Sequence, residues 1–213
     1  MSQRAQQKSE SRAAIVRSAA DLVRVAGAEG TSVQGAMKGA GLTVGAFYAH
    51  FADKTELIDA AYKAAIDQMT TRVRSVTPNP VDTAPLLPIV TEYLSEQHRD
   101  HPTHGCPLPA IFGEASHHGS PLSSATLADG FTEMRDAFMS VDPNLDRDQA
   151  DALLALLIGS QIVARALKGS PLSDEVLGAA ENHARTAFGP PGTSAQSPPT
   201  RDKPKAPRSQ KPA

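Results

Sequence analysis

Apolar residues recur at intervals of three and four along most of the chain, which is the spacing that places side chains on one face of an α-helix. Between residues 11 and 26, for example, Ile15 and Leu22 belong to such a series and Arg17 lies between them. No segment shows the alternation of apolar and polar residues that is typical of a half-buried strand. The sequence therefore predicts an all-α protein of about nine helices.

Two signals for the start of short helices follow the first amphipathic segment. The first helix should stop at residues 27–30, and Thr31 with Gln34 three residues later has the spacing of a capping box for a second helix. Gly41 then provides the residue best able to adopt the positive φ of a tight turn. We expect a second helix of about two turns that ends at this glycine.

A third short helix is expected directly after Thr43. Phe47 and Phe51 are four residues apart and should both point inward, and Asp53 with Glu56 forms a second capping signal that starts a fourth helix. The face left to solvent is small, polar and aromatic. Its residues are Thr43, Val44, Ala46, Tyr48, Ala49 and His50.

Two helices joined by a glycine-containing turn form a helix-turn-helix, whose second helix fits the major groove of B-DNA. Small and hydroxyl-bearing side chains suit close contact with base edges, and Tyr48 and Lys54 suit contact with phosphates. The alternative is a plain three-helix scaffold with no role in DNA binding. The predicted DNA contacts are Thr31, Thr43, Val44, Ala46, Tyr48, His50 and Lys54.

The charge distribution divides the chain into three parts. Residues 1–54 carry seven Lys and Arg against four Asp and Glu, and residues 55–189 carry nine against eighteen. Residues 190–213 carry five against one and include seven prolines, a composition that favours disorder. We expect an N-terminal arm and basic reading domain over 1–54, an acidic body over 55–189 and a disordered basic tail.

The body contains further amphipathic segments separated by proline or glycine, and no apolar run of the roughly 20 residues that a membrane span requires. The single cysteine excludes an intrachain disulfide, and the polar start lacks a secretory signal. We therefore expect an intracellular protein without membrane contact. The predicted helices cover residues 55–74, 86–100, 107–117, 121–141, 147–167 and 173–188.

The segment from Thr31 to Lys54, with its small-small-Gly turn and its Gly-x-Phe-Tyr-x-His-Phe run, closely resembles the DNA-binding segment of TetR-family transcriptional repressors. The resemblance implies a homodimer without a cofactor that binds a palindromic operator in double-stranded DNA and is released by a small-molecule effector. It also implies a cytoplasmic, nucleoid-associated bacterial protein that is not an enzyme. Val44 departs from the family pattern, since many members have a basic or polar residue there.

One body helix argues independently for self-association. Apolar residues surround the 147–167 segment on nearly all sides, so one face needs a partner beyond the chain's own core. In the TetR family the last two helices pair across a two-fold axis, which 147–167 and 173–188 resemble. Burial within one chain is the alternative. The predicted dimer contacts are Leu153, Leu157, Ile158, Ile162 and Val163.

Five of the seven histidines (98, 101, 104, 117 and 118) and Cys106 fall close together. A metal-responsive sensor or a small Cys-His enzyme are alternative interpretations, although no catalytic or metal-binding motif is present. Cys106, predicted as the N-cap of a helix that starts at Pro107, resembles loosely the thiol of electrophile-responsive TetR members, and otherwise is a buried hydrophobe. The predicted effector-binding or sensing residues are Tyr93, Cys106, Phe112, Phe131, Met134 and Phe138.

Overall fold

The structure, a computed structural model, describes residues 2–76, 84–118 and 120–189. Every regular element among these residues is a helix, which confirms the all-α prediction. The α-helices are α1 (Gln3–Gly30), α2 (Val33–Gly39), α3 (Lys54–Arg74), α4 (Leu87–Tyr93), α5 (Glu96–Asp100), α6 (Leu108–His118), α7 (Ser124–Val141), α8 (Arg147–Ala166) and α9 (Pro171–Phe188), and 3-10 helices cover Val44–Ala49 and Pro102–His104.

Helix α1 is longer than the sequence pattern predicts. It begins at Gln3, where the Ser2 side chain accepts a hydrogen bond from the backbone N–H of Ala5. The expected N-terminal arm is therefore the first turns of a helix. Near its other end, Gly27 has a φ of 72° and kinks the helix, at the position where the sequence predicts that it stops.

The cap of α2 differs from the prediction by one residue. Ser32 is the N-cap, and its Oγ accepts from the Gly35 N–H at 3.0 Å. Thr31 is fully buried, and its hydroxyl donates to the Gly27 carbonyl at 2.7 Å, because the kink leaves that carbonyl without a helical partner. Thr31, one of the predicted DNA contacts, is therefore not exposed at the surface in this structure.

The cap of α3 agrees with the prediction. Asp53 accepts from the Glu56 N–H at 2.9 Å, and the Glu56 carboxylate accepts from the Ala52 N–H at 2.7 Å. The two bonds satisfy backbone groups at the start of the helix that links the reading domain to the body.

The predicted 86–100 helix is interrupted. Helix α4 ends at Tyr93, and the backbone is extended at Ser95. The Ser95 side chain then starts α5 by accepting a hydrogen bond from the His98 N–H at 3.1 Å. The serine hydroxyl thus supplies the acceptor that a backbone carbonyl would supply in a continuous helix. Residues 77–83, with the prolines that we expect to end the 55–74 helix, and the predicted disordered tail over 190–213 lie outside the described residues.

A single hydrophobic core extends from the reading domain into the body, with α3 packed against α1 and α7, and α8 against α9. Gly130 permits the close approach of α3 and α7, since a Cβ there would lie 2.1 Å from the Tyr62 hydroxyl oxygen. Helix α3 is thus packed between α1 of the reading domain and α7 of the body.

This packing corrects most of the predicted dimer contacts. Leu153, Leu157 and Ile158 are buried in the chain's own core, where α8 meets its neighbours. Ile162 is partly buried against that core, and Val163 is 44% exposed. Since a side chain buried within one chain cannot also contact a second, only the last two positions can face a partner.

Candidate nucleic-acid interface and ligand cavity

The 3-10 helix Val44–Ala49 is anchored by two phenylalanines. Phe47 and Phe51 are 3% and 2% exposed, and their rings stack at 5.6 Å between centroids, as the spacing predicts. The Arg12 guanidinium of α1 lies 4.6 Å from the centre of the Phe51 ring. The short helix also packs against α2, and its opposite face is left exposed.

That opposite face is free of neighbours. Tyr48 is 79% exposed and Val44 is 50% exposed, while Thr43 is exposed at the N-cap. Ala46 and His50 are half-buried at the edges of the face. The turn before it depends on Gly41, whose φ of 70° favours glycine. A narrow surface of hydroxyls, methyl groups and one aromatic ring therefore projects from the molecule.

Cationic groups flank this surface on the α1 side. Arg4 and Lys8 are exposed on the first turns of α1 and line a groove together with Ala49 and His50. Lys54 lies at the start of α3, where its ammonium group donates to the Glu29 carbonyl at 3.1 Å. Arg4 and Lys8 thus lie near one end of α1 and Lys54 near the other, and positive side chains beside an exposed helix suit phosphate contacts.

A buried arginine joins the reading domain to the body. Arg24 of α1 is 4% exposed, and its Nε donates to the Gly105 carbonyl at 3.0 Å. Its Nη2 donates to Gln68 of α3 at 2.7 Å, and Asp21 accepts from Nη1 at 3.1 Å. Burial lowers the pKa of Arg24, and the Asp21 carboxylate opposes that effect. Sequence reasoning missed this residue, because an arginine within an amphipathic helix reads as a solvated position.

Glu114 of α6 makes a second connection between the two parts. Its carboxylate accepts from the Glu29 N–H at 3.0 Å, beyond the kink in α1. A Cβ on Gly27 would lie 2.1 Å from the same carboxylate, so the glycine also makes room for it. The orientation of α1 relative to the body therefore depends on two polar side chains.

Replacement of Arg24 by Met tests this junction. The change leaves the Gly105 carbonyl and the Gln68 amide without their donor, so we expect the free energy of unfolding to fall by about 2 kcal/mol. Urea denaturation followed by circular dichroism measures the effect. Arg17→Met is the control, because Arg17 is exposed on the same helix, and it should change stability by less than about 0.5 kcal/mol. Equal effects of the two changes would contradict a structural role for Arg24.

A cavity of about 210 Å³ lies beside this junction, between α3, α4 and the segment 98–105. Of the six predicted effector residues, only Tyr93 lines this cavity. Phe112 and Phe131 stack on each other outside it, and Met134 and Phe138 are buried in the core. The size of a side chain is therefore not enough to predict which residues line the cavity. The lining residues are Met69, Arg72, Val73, Ser75, Val76, Ile89, Glu92, Tyr93, His98, His104 and Gly105.

His98 holds the chain at one end of the cavity. Its Nδ1 donates to the Tyr93 carbonyl across 2.8 Å, and its Nε2 accepts from the Cys106 N–H at 3.2 Å, which assigns the neutral tautomer. Burial, with Arg165 and Arg72 nearby, lowers the pKa of His98 to about 4. The ring is therefore a neutral structural group at pH 7.

Cys106 does not have the character of a reactive thiol. It is 1% exposed, and burial raises its pKa, whereas a sensor requires an exposed thiolate. Helix α6 also begins at Leu108, one residue later than predicted, so Cys106 lies before the cap. The interpretation as a buried hydrophobe beside the cavity is the one that the structure supports.

The remaining histidines do not form a metal site in the described part of the chain, where no cluster of three or more suitable ligands occurs. His101 and His104 are exposed, and His117 shares hydrogen bonds with Ser116 and the Gly113 carbonyl. The side chain of His118 lies outside the description. The structure thus gives no support to a metal-responsive sensor over 98–106.

Comparisons with known proteins agree with the reading-domain geometry. Residues 15–61 match the family model of bacterial regulatory proteins, tetR family. A TetR transcriptional regulator from Chloroflexus aurantiacus J-10-fl is 24% identical, with 85% of this chain and 95% of that chain covered and a TM-score of 0.63. A tetR-family regulator from Streptomyces coelicolor is 18% identical, with 84% and 80% covered and a TM-score of 0.62. No curated protein matches this sequence.

Helix α2 and the 3-10 helix Val44–Ala49, joined by the turn at Gly41, have the arrangement of a helix-turn-helix, and both lie inside the segment that matches the tetR family model. Residues 15–61 are thus similar to the tetR family model, and the solved structures named above share the fold of the chain. These comparisons give no support to the interpretation as a Cys-His enzyme. Within the described residues, no helix is both long enough and apolar enough to cross a bilayer.

Proposed function

We propose that the protein is a repressor that binds a palindromic operator as a homodimer and is released by a small molecule. The observation that carries this proposal is the outward face of Val44–Ala49, where Tyr48 is 79% exposed on a helix anchored by buried phenylalanines. Side chains of this size can enter the major groove and contact thymine methyl groups and phosphates. Thr43, Val44, Ala46, Tyr48, His50 and Lys54 are the proposed contacts, with Arg4 and Lys8 added on the flank.

A second copy of the chain is the proposed partner of α8 and α9. One side of α8 carries a series of small or exposed residues at helical spacing, and a Cβ on Gly159 would meet nothing within 4 Å. On α9, Leu172 is 53% exposed. Two-fold packing of this face would bury these apolar groups and hold two reading helices at a fixed separation. The α8 residues are Ala152, Ala155, Leu156, Gly159, Ile162 and Val163.

The cavity beside Gly105 is the proposed effector site. It adjoins the loop whose carbonyl accepts from Arg24, so a ligand that moves the loop changes the orientation of α1. A coupling free energy of about 1 to 3 kcal/mol between the two sites would weaken operator binding roughly 5 to 150-fold.

Replacement of Tyr48 by Ala tests DNA binding directly. A duplex is first selected from a random library with the wild-type protein, and affinities are then measured by fluorescence anisotropy at several salt concentrations. We expect Tyr48→Ala to weaken binding about 10-fold or more, because the ring and hydroxyl are lost from the centre of the reading face. Circular dichroism should be unchanged, since Tyr48 is exposed.

Val25→Ala is the matched control, because Val25 is an exposed apolar residue of α1 away from the reading face, and it should leave affinity unchanged. Wild-type binding should also weaken steeply with salt, since phosphate contacts release counterions. Failure to select any duplex, or equal affinities of wild type and Tyr48→Ala, would overturn the proposal.

A further inference from the structure

We propose that the cavity beside Gly105 binds a small apolar carboxylic acid, with the carboxylate held at Arg72 and the apolar part along Met69, Val73 and Ile89. This inference rests on the proposed function, because it names the chemistry of the effector. The argument depends on the distribution of apolar and charged groups around one cavity.

The walls of the cavity divide into an apolar side and a polar end. Val73 and Ile89 are buried, Met69 and Val76 are partly buried, and all four are uncharged side chains without hydrogen-bonding groups. The cavity volume of about 210 Å³ is below the range of about 300–1,000 Å³ common for drug-sized ligands. The site therefore suits a small molecule with a short hydrocarbon part.

The polar end of the cavity carries the paired charges of Arg72 and Glu92, and a further positive charge, that of Arg165, lies nearby. Arg72 lines the cavity, and Arg165 lies behind His98, to whose carbonyl its Nη2 donates at 3.3 Å. The Nε of Arg165 is buried without a hydrogen-bond partner, and no carboxylate in the described ranges forms an ion pair with Arg165. The half-buried guanidinium of Arg165 therefore adds positive charge close to the cavity, although it does not line it.

The acids near the cavity do not cancel this charge. Glu92 lines the cavity and pairs with Arg72, but the two side chains are 59% and 53% exposed, so the pair contributes little and a second carboxylate can replace it. In the adjoining cleft, Asp21 is already bound to Arg24. Burial lowers the pKa of His98, and the nearby charges of Arg165 and Arg72 act in the same direction.

A carboxylic acid in this position would also reach the junction with the reading domain. Gly105 and His104 line both the cavity and the adjoining cleft, which Arg24 and Gln68 complete. A ligand that draws Arg72 from Glu92 therefore lies against the loop that Arg24 binds. The expected result is weaker operator binding when the site is filled.

Three probes with the same hydrocarbon chain and different head groups test the proposal: octanoate, octylammonium and octanol. Isothermal titration calorimetry of the full chain at pH 7.5 should show octanoate binding at least 10-fold tighter than the other two. Arg72→Gln should reduce octanoate affinity at least 10-fold and leave octanol affinity unchanged. Arg74→Gln is the matched control, since Arg74 is exposed in the same turn of α3 and does not line the cavity.

Equal affinities for the three probes would overturn the proposal, and so would tighter binding of octylammonium, which would identify Glu92 as the binding group. An Arg72→Gln protein that binds octanoate like wild type would also overturn it. Operator binding is measured separately without any acid. If the duplex is bound but octanoate is not, the ligand assignment fails alone; if no duplex is bound, the proposed function fails whatever the calorimetry shows.

Discussion

Replacement of Phe47 by Ala is expected to lower the free energy of unfolding by about 3–5 kcal/mol, the range for a buried phenylalanine. Phe47 is 3% exposed, stacks on Phe51 and contacts the Tyr48 ring edge-on at 5.2 Å. Its loss removes the side chain that anchors Val44–Ala49 in the hydrophobic core. Operator binding should therefore be lost even in buffer without urea, where the body remains folded.

Urea denaturation and anisotropy measure the two effects of Phe47→Ala. Val44→Ala is the control, because Val44 belongs to the same 3-10 helix but is 50% exposed, and it should change stability by less than about 0.5 kcal/mol. Retention of wild-type stability by Phe47→Ala would show that the short helix is held by other contacts.

Between pH 7 and pH 4 the protein is expected to lose stability, by about 3 kcal/mol from His98 alone. The pKa of His98 is about 4 in the folded state and near 6.5 when unfolded. Above pH 6.5 neither state is protonated, so the group has no effect. As the pH falls through 6.5, the unfolded state binds a proton that the folded state does not, and stability decreases until about pH 4.

Denaturation of wild type and His98→Gln at pH 7.5, 6, 5 and 4 isolates this contribution from those of other groups. Glutamine does not titrate, so the difference in stability between the two proteins should narrow by about 3 kcal/mol over this range. A difference that stays constant with pH would mean that His98 is not held neutral by burial.

The reading domain could be predicted in detail because its signals are local. Gly41, the pair Phe47 and Phe51, and the Asp53 cap each act within a few residues of their own position, and all occur where the pattern predicts. Thr31 was misplaced because two adjacent residues, Thr31 and Ser32, both suit an N-cap. In the structure the Thr31 hydroxyl binds the Gly27 carbonyl, and Ser32 is left to cap α2.

The cavity and the interdomain junction could not be predicted from local patterns. The bond from Arg24 to the Gly105 carbonyl joins residues 81 positions apart, and nothing near Arg24 in the sequence indicates that it is buried. Phe112, Met134 and Phe138 have the size expected of pocket residues, but helix packing places them in or against the core. Likewise, periodicity showed that α8 is apolar on several faces without showing which face packs internally.

The spacing dependence of operator binding tests the central claim most directly. In the duplex selected by the wild-type protein, insertion of about 5 base pairs between half-sites rotates one reading site by about half a helical turn relative to the other. A two-fold dimer with two fixed reading helices should then lose nearly all affinity, measured by anisotropy, while base changes that leave the spacing intact reduce it in steps. Equal affinity for the original and the lengthened duplex would contradict the account.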